Sequence, residues 1–152
     1  NEINNSIKAD FNLIIIGDGE EKKKLQNYIE RNNLNNCFLL GFKNNPYKYL
    51  VRSDLYISTS RWEEPGHTLL EAGYLNVPIL SSDCPNGPNE IMHNKLNGLK
   101  YELGNKSDFM EKFQEFINLD ESKKYSLSLN MKKSIISYSQ YRFSKNFFKI
   151  FE

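Results

Sequence analysis

The sequence predicts an α/β fold: one three-layer parallel sheet with helices packed on both faces. Three observations lead there. Short apolar runs recur at residues 11–16, 36–40, 54–58 and 77–81. Runs of that length, rich in Ile, Leu, Val and aromatic residues, read as strands. Stretches of helical pattern lie between them, so the alternation is β then α, which makes neighbouring strands parallel with right-handed crossovers. Finally, several runs close on glycine or paired polar residues, at the strand ends where such sheets bind ligands.

Taken in order, residues 1–10 read as the end of a helix, with Ile3 and Ile7 four apart. Residues 11–16 form a nearly continuous apolar run, predicted to be a strand buried on both faces. Gly17-Asp18-Gly19 follows, and then the helical EEKKKLQNYIERNN. Strand, G-x-G and helix suggest a dinucleotide turn, but Lys22 stands where a third glycine would be. The loop is therefore predicted to be a tight turn near the ligand edge and not a pyrophosphate cradle. Residues 36–40 are the next strand, ending at Gly41-Phe42-Lys43, and Pro46 opens a short helix that runs to Arg52.

Residues 54–81 are the centre of the chain. A strand at 54–58 leads into a polar loop with adjacent carboxylates, Glu63 and Glu64, then Pro65 and Gly66. A helix runs from Thr68 and stops at Asn76, just before Pro78, and residues 77–81 form the next buried strand. In this βαβ unit Gly66 lets a ligand approach the main chain, and the amides around Thr68 and Leu69 are predicted to receive an anion, a phosphate. The spacing Thr68-x-x-Glu71 also fits a capping box, with Thr68 as the cap and Glu71 reaching back to it. Both readings stand on the sequence.

Beyond the second strand, Pro85, Gly87 and Pro88 fix a loop, with Pro88 placed for the first turn of a short helix. Residues 97–101 are the last strand. Residues 107–118 read as a helix with Phe109, Phe113, Phe116 and Ile117 on one stripe and Ser107 as its cap. Residues 121–137 are more polar and still helical. Residues 139–151 carry Phe143, Phe147, Phe148 and Phe151 at helical spacing, a core stripe.

Composition removes several classes. A length of 152 residues fits one domain, 1–152, with a full core, and a net charge of +1 spread along the chain argues against a nucleic-acid surface. Cys37 and Cys84 have no metal-ligand spacing, which leaves ordinary thiols and a reducing compartment. His67 and His93 lie far apart and outside any ligand motif. The sequence shows no apolar run long enough to span a bilayer, no signal-peptide pattern and no internal repeat.

Two motifs carry a resemblance to a known family. Glu63 and Glu71 enclose EPGHTLL, an E-x7-E spacing, and residues 82–91 read SDCPNGPNEI. The first resembles the signature of family 4 retaining glycosyltransferases. The second is similar to the S-D-C-P-x-G-P-x-E-I segment of many bacterial surface-polysaccharide members of that family. Asn97-Gly98-Leu99-Lys100-Tyr101 resembles the family's next strand. Where the commoner loop is E-G-F-G or E-G-F-P, this chain has Glu63-Glu64-Pro65-Gly66.

The resemblance implies the C-terminal, donor-binding half of a GT-B enzyme, an architecture of two Rossmann-like domains. It implies Glu63 as the catalytic-site carboxylate on the donor sugar's hydroxyls. Gly66, His67, Thr68 and Leu69 would hold the pyrophosphate, and Glu71 the ribose. Gly17 would border the site, and the nucleobase would lie against the backbone beside Phe42 or Lys43; Phe42 packing over the sheet edge is the alternative. The donor is expected to be a UDP-hexose or UDP-N-acetylhexosamine, and the acceptor a saccharide or lipid-linked saccharide for cell-surface polysaccharide. Transfer keeps the anomeric configuration. No metal or other cofactor is expected, since no Asp-x-Asp occurs. The setting is cytoplasmic, with peripheral attachment at the inner membrane face left open.

Relative to the family, an amino-terminal acceptor domain and a first donor-domain strand with its G-R…K segment are expected outside this chain. The family's strand order 3-2-1-4-5-6 then loses strand 1. The helix at about 139–152 is expected to pack on the absent domain, and the fragment to be inactive alone. Two rival readings share the fold: a non-catalytic nucleotide-binding or regulatory domain of flavodoxin-like type, and a sugar-nucleotide epimerase.

Overall fold

A computed structural model describes residues 11–64 and 66–136, and among them five strands alternate with six helices. The chain divides into two units, Asn1–Lys48 and Tyr49–Glu152. The first holds β1 (Leu13–Ile16), α1 (Lys22–Arg31) and β2 (Cys37–Gly41). A short helix, α2 (Tyr47–Leu50), runs across the division. The second unit holds β3 (Tyr56–Ser58), α3 (His67–Tyr74), β4 (Ile79–Ser82), α4 (Gly87–Ile91), β5 (Leu99–Tyr101), α5 (Lys106–Ile117) and α6 (Glu121–Ile135). The predicted helices at residues 1–10 and 139–151, and Pro65, lie outside the described residues.

Every strand pair is parallel, as the βαβ pattern requires: β1 with β2, β3 with β4 and β4 with β5. The pairs form two sheets, β1-β2 and β3-β4-β5. An order of 3-2-1-4-5-6 without its strand 1 gives this same grouping, and among the described residues no strand bridges the two.

The sheets differ in cover. All four residues of β4 are buried. By contrast, Leu13 is 41% and Ile14 45% exposed in β1, which corrects the expectation that this run is covered on both faces. An apolar run is buried only where other elements lie over it. Among the described residues β1 has one partner strand, and α1 buries none of its residues.

In the second unit the core gathers Leu69, Ala72, Val77, Ile79, Ile91, Met92, Met131 and Ile135, so α3, β4, α4 and α6 share one interior. Burying such side chains contributes about 1.5–3 kcal/mol each relative to exposure. Between α3 and α6 the tight contact is at Gly73. A Cβ there would lie 2.6 Å from Met131 Cγ and 3.3 Å from Ile135 Cδ1. Helix α3 therefore lies against α6 at a distance that only glycine tolerates. The same helix stops where the sequence predicts: Asn76 has φ +58, Val77 N–H donates to the Ala72 carbonyl at 3.0 Å and Asn76 N–H to Gly73 at 3.2 Å. That pair of bonds around a left-handed residue is a Schellman stop.

Two helix starts need comment. Asn105, not Ser107, caps α5, because its side chain accepts the Asp108 amide at 3.0 Å while Ser107 already lies inside the helix. Asp120 caps α6 in the same way through the Lys123 amide at 2.8 Å. Pro88 sits in the first turn of α4 as expected. Asn97 is 1% exposed and fully bonded: its amide group donates to the Ile91 carbonyl and the Ser134 hydroxyl, and its oxygen accepts the His93 amide. It ties the approach to β5 onto α6.

Gly73→Ala tests the helix contact. Helix propensity alone favours alanine by about 1 kcal/mol, whereas overpacking a filled core costs about 1–3 kcal/mol. Since Met131 is fully buried, net destabilisation is expected in urea unfolding, and more for Gly73→Val. A stabilised Gly73→Ala would mean that α3 and α6 stand further apart.

Candidate functional site

The start of α3 is set by Gly66. Its φ of +78 and ψ of 50 are left-handed, a conformation glycine adopts without strain. It occupies the N-cap position, and no side chain caps the helix. A Cβ on Gly66 would lie 3.7 Å from Gly87 Cα and 3.9 Å from Glu63 Cβ, so the loop before α3 runs close to the loop before α4.

The capping-box reading fails on this geometry. Thr68 is the second residue of α3 and not its cap. Its hydroxyl instead accepts from the Tyr56 phenol at 2.7 Å, which pins the helix start to β3. His67 and Thr68 place their amides at the free end of the helix dipole, where an anion is favoured. Leu69 does not join them. Its amide donates to the Gly66 carbonyl at 3.0 Å and its side chain is 2% exposed in the core, so its side chain serves packing.

Glu63 is half-buried and held. Its Oε1 accepts from the Ser60 hydroxyl, Ser58 Oγ donates to Ser60 Oγ at 3.4 Å, and Ser82 Oγ donates to the Ser60 carbonyl. Tyr101 donates to the Ser58 carbonyl at 3.3 Å. Burial pushes the Tyr101 phenol up, and the Ser82 hydroxyl beside it opposes that rise. Ser58, Ser82 and Tyr101 are each the last residue of their strand and each buried.

Tyr56 links the two carboxylates. Burial raises its phenol above the ordinary range, the Thr68 hydrogen bond lowers it, and the charges of Glu63 and Glu71 raise it further. Both carboxylates of the E-x7-E thus bear on one phenol. The sequence places them eight apart; the fold brings them to the same helix start.

Gly17, Phe42 and Lys43 belong to the first unit. Gly17 has φ +141, and its amide donates to the Gly41 carbonyl at 3.0 Å, which ties the end of β1 to the end of β2. Lys22, at the place of the missing third glycine, folds back onto Asp18 at 2.7 Å. That ion pair holds the Asp18 carboxyl below its usual value, and it stands where a dinucleotide turn leaves room. Phe42 is 70% exposed and therefore does not pack over the sheet edge. Lys43 is half-buried.

Elsewhere in the second unit, a concavity of about 630 Å³ opens between Asp83, Lys100, Asp108 and Lys112. It includes none of the predicted ligand residues, and its charges answer one another, Lys100 meeting Asp83 at 2.8 Å. We give it less weight than the E-x7-E geometry for that reason. Cys37 and Cys84 are free thiols, and no cluster of His, Cys, Asp and Glu fit for a metal occurs among the described residues. No helix among them is long and apolar enough to cross a membrane.

Comparison with known proteins is consistent across sequence and structure. The family model described as Glycosyl transferases group 1 matches residues 2–134. The chain is 49% identical over 86 residues to an uncharacterized glycosyltransferase of Methanocaldococcus jannaschii, covering 56% of this chain and 21% of that protein. It is 34% identical over 107 residues to a poly(ribitol-phosphate) alpha-N-acetylglucosaminyltransferase of Staphylococcus aureus, covering 70% of this chain and 22% of the relative. Among solved structures, a TarM mutant of S. aureus in complex with fondaparinux, alpha-GlcNAc-glycerol and UDP superposes with a TM-score of 0.83 at 28% identity, over 93% of this chain and 29% of the other. The chain therefore spans under a third of the length of each of these.

Tyr56→Phe tests the bond that sets the helix start. At neutral pH the variant is expected to lose about 0.5–1.5 kcal/mol, the net worth of one hydrogen bond. Because the folded phenol is raised, its contribution is whole below about pH 10, the ordinary phenol value, and falls as pH rises beyond it. The stability gap between wild type and Tyr56→Phe in urea titrations should thus narrow above that pH. A gap independent of pH would contradict the burial of Tyr56.

Proposed function

The chain belongs to the glycosyl transferases group 1 family, and from that premise we propose that it is the C-terminal, donor-binding domain of a retaining family 4 glycosyltransferase. The observation that carries the reading is the family match over residues 2–134 together with Glu63, held by Ser60, standing just before a helix whose Gly66 N-cap leaves its first amides without a side-chain cap. One carboxylate precedes the helix and the other lies within it, so a nucleotide sugar at the helix start meets one with its hexose and the other with its ribose. Glu63 takes the sugar hydroxyls and Glu71 the ribose hydroxyls. The amides of His67 and Thr68, with Gly66 leaving the backbone bare, take the pyrophosphate.

In the reaction, the bond from the anomeric carbon to the phosphate oxygen breaks, and its electron pair leaves with the nucleoside diphosphate. The acceptor oxygen bonds to the anomeric carbon on the same face and gives up its proton to the oxygen of the leaving phosphate. Charge grows on the leaving phosphate as the bond lengthens. Fixed amides stabilise that charge without reorganising, the largest single source of catalysis in many enzymes.

UDP-hexose or UDP-N-acetylhexosamine is the proposed donor. A related structure holds UDP, and a relative is named for N-acetylglucosaminyl transfer to poly(ribitol phosphate). The acceptor is by the same argument a saccharide or lipid-linked saccharide of a cell-surface polymer, presented by a second, amino-terminal domain. The free thiols suit a reducing, cytoplasmic setting, at or near the inner face of the membrane.

Calorimetric titration with UDP, GDP and ADP tests the reading; preference for UDP is expected, and equal or absent binding of all three would overturn it. Glu71→Gln should weaken UDP binding by about 1–3 kcal/mol, the scale of a lost charge-assisted hydrogen bond. Glu63→Ala should leave UDP affinity near wild type and lower affinity for the nucleotide sugar. Equal losses for both ligands would contradict separate roles.

A further inference from the structure

Glu63 sits in an irregular loop whose other side chains mostly face solvent. Trp62 is 57% exposed, and Arg61 and Glu64 are exposed as well. A carboxylate on such a loop would sample many orientations, and fixing it costs conformational entropy. What holds this one is a directed run of hydroxyls: Ser58 Oγ donates to Ser60 Oγ, and Ser60 Oγ donates to Glu63 Oε1. Each donation polarises the next, and the run ends on a charge, where hydrogen bonds are strongest.

The anchor lies deeper. Ser82 is fully buried, closes β4 and donates to the Ser60 carbonyl, while Tyr101 closes β5 and donates to the Ser58 carbonyl. Ser60 is thus gripped at its main chain by one strand and passes that position to Glu63 through its side chain. No other residue in the loop from 59 to 64 has both connections.

We propose that Ser60 is a positioning residue for Glu63, with Ser82 as its anchor, and that this pair sets how the carboxylate meets the donor sugar. The proposal rests on the reading of Glu63 given above. Ser60 touches no part of the ligand in this scheme; it acts by holding one oxygen of Glu63 and leaving the other to receive a sugar hydroxyl.

The test is calorimetric binding of UDP and of UDP-N-acetylglucosamine and UDP-glucose to the wild-type chain and to Ser60→Ala, Ser60→Thr, Ser82→Ala and Glu63→Ala. Ser60→Ala should keep UDP affinity within about twofold and lower the ratio of UDP-sugar to UDP affinity by about tenfold, approaching Glu63→Ala. Ser60→Thr retains the hydroxyl and should restore most of that ratio. Ser82→Ala should shift the ratio in the same direction by a smaller factor, and it carries the test if Ser60→Ala does not fold. The proposal is overturned if Glu63→Ala lowers the ratio while Ser60→Ala and Ser82→Ala leave it unchanged. It is equally overturned if Ser60→Ala weakens UDP and UDP-sugar alike, the mark of a merely structural serine. Failure of the wild-type chain to bind any of the three ligands would sink the reading of the site itself, and the proposal with it.

Discussion

Parallel pairing is the constraint from which the second unit follows. Strands that run the same way must end at the same edge, so Ser58, Ser82 and Tyr101 meet because each is a terminal residue of β3, β4 or β5. The connections that make pairing parallel return as helices, and α3 begins at that edge and nowhere else. A row of hydroxyls from strand ends and a helix start with its amides thus come together without any residue being recruited from afar. The two glutamates are then a short loop and a little over one helical turn away from each other.

Much of this was legible because it is local. Apolar runs marked β1 to β4, the family resemblance of residues 97–101 marked β5, Asn76 before Pro78 marked the end of α3, and Pro88 marked the first turn of α4. The E-x7-E spacing marked the two carboxylates that share Tyr56. What was not legible depends on partners distant in the chain. The run at β1 is as apolar as a central strand, yet whether it is covered depends on what packs over it, and Leu13 and Ile14 are exposed. Thr68 has the spacing of a cap, but Tyr56 claims its hydroxyl and a left-handed Gly66 takes the cap position.

The serines were missed for a related reason. Ser58, Ser60 and Ser82 look like ordinary polar punctuation at the ends of apolar runs. A hydroxyl donates and accepts in directions that the sequence does not encode, so only the assembled sheet shows that Ser58 and Ser60 form a run ending on Glu63, with Ser82 holding the Ser60 carbonyl. A serine in the last position of consecutive parallel strands is the signal that would have found them. Gly73 carries no signal of its own in the helical pattern, although its missing Cβ is what lets Met131 of α6 lie so close.

The position of α6 bears on how the chain acquires its fold. Met131 fills the space beside Gly73, and Asn130 and Ser134 reach back 34 and 37 residues to hold Leu96 and Asn97. Synthesis from the amino terminus delivers both glutamates and all five strands before any of these three residues exists. Contacts of such separation close a long loop, which makes them late and slow relative to a helix or a turn. Until α6 arrives, the inner face of α3 is open and Asn97 lacks its partner on that helix. A ribosome-bound chain ending near residue 120 therefore has every residue of the candidate site and not yet the brace that steadies it.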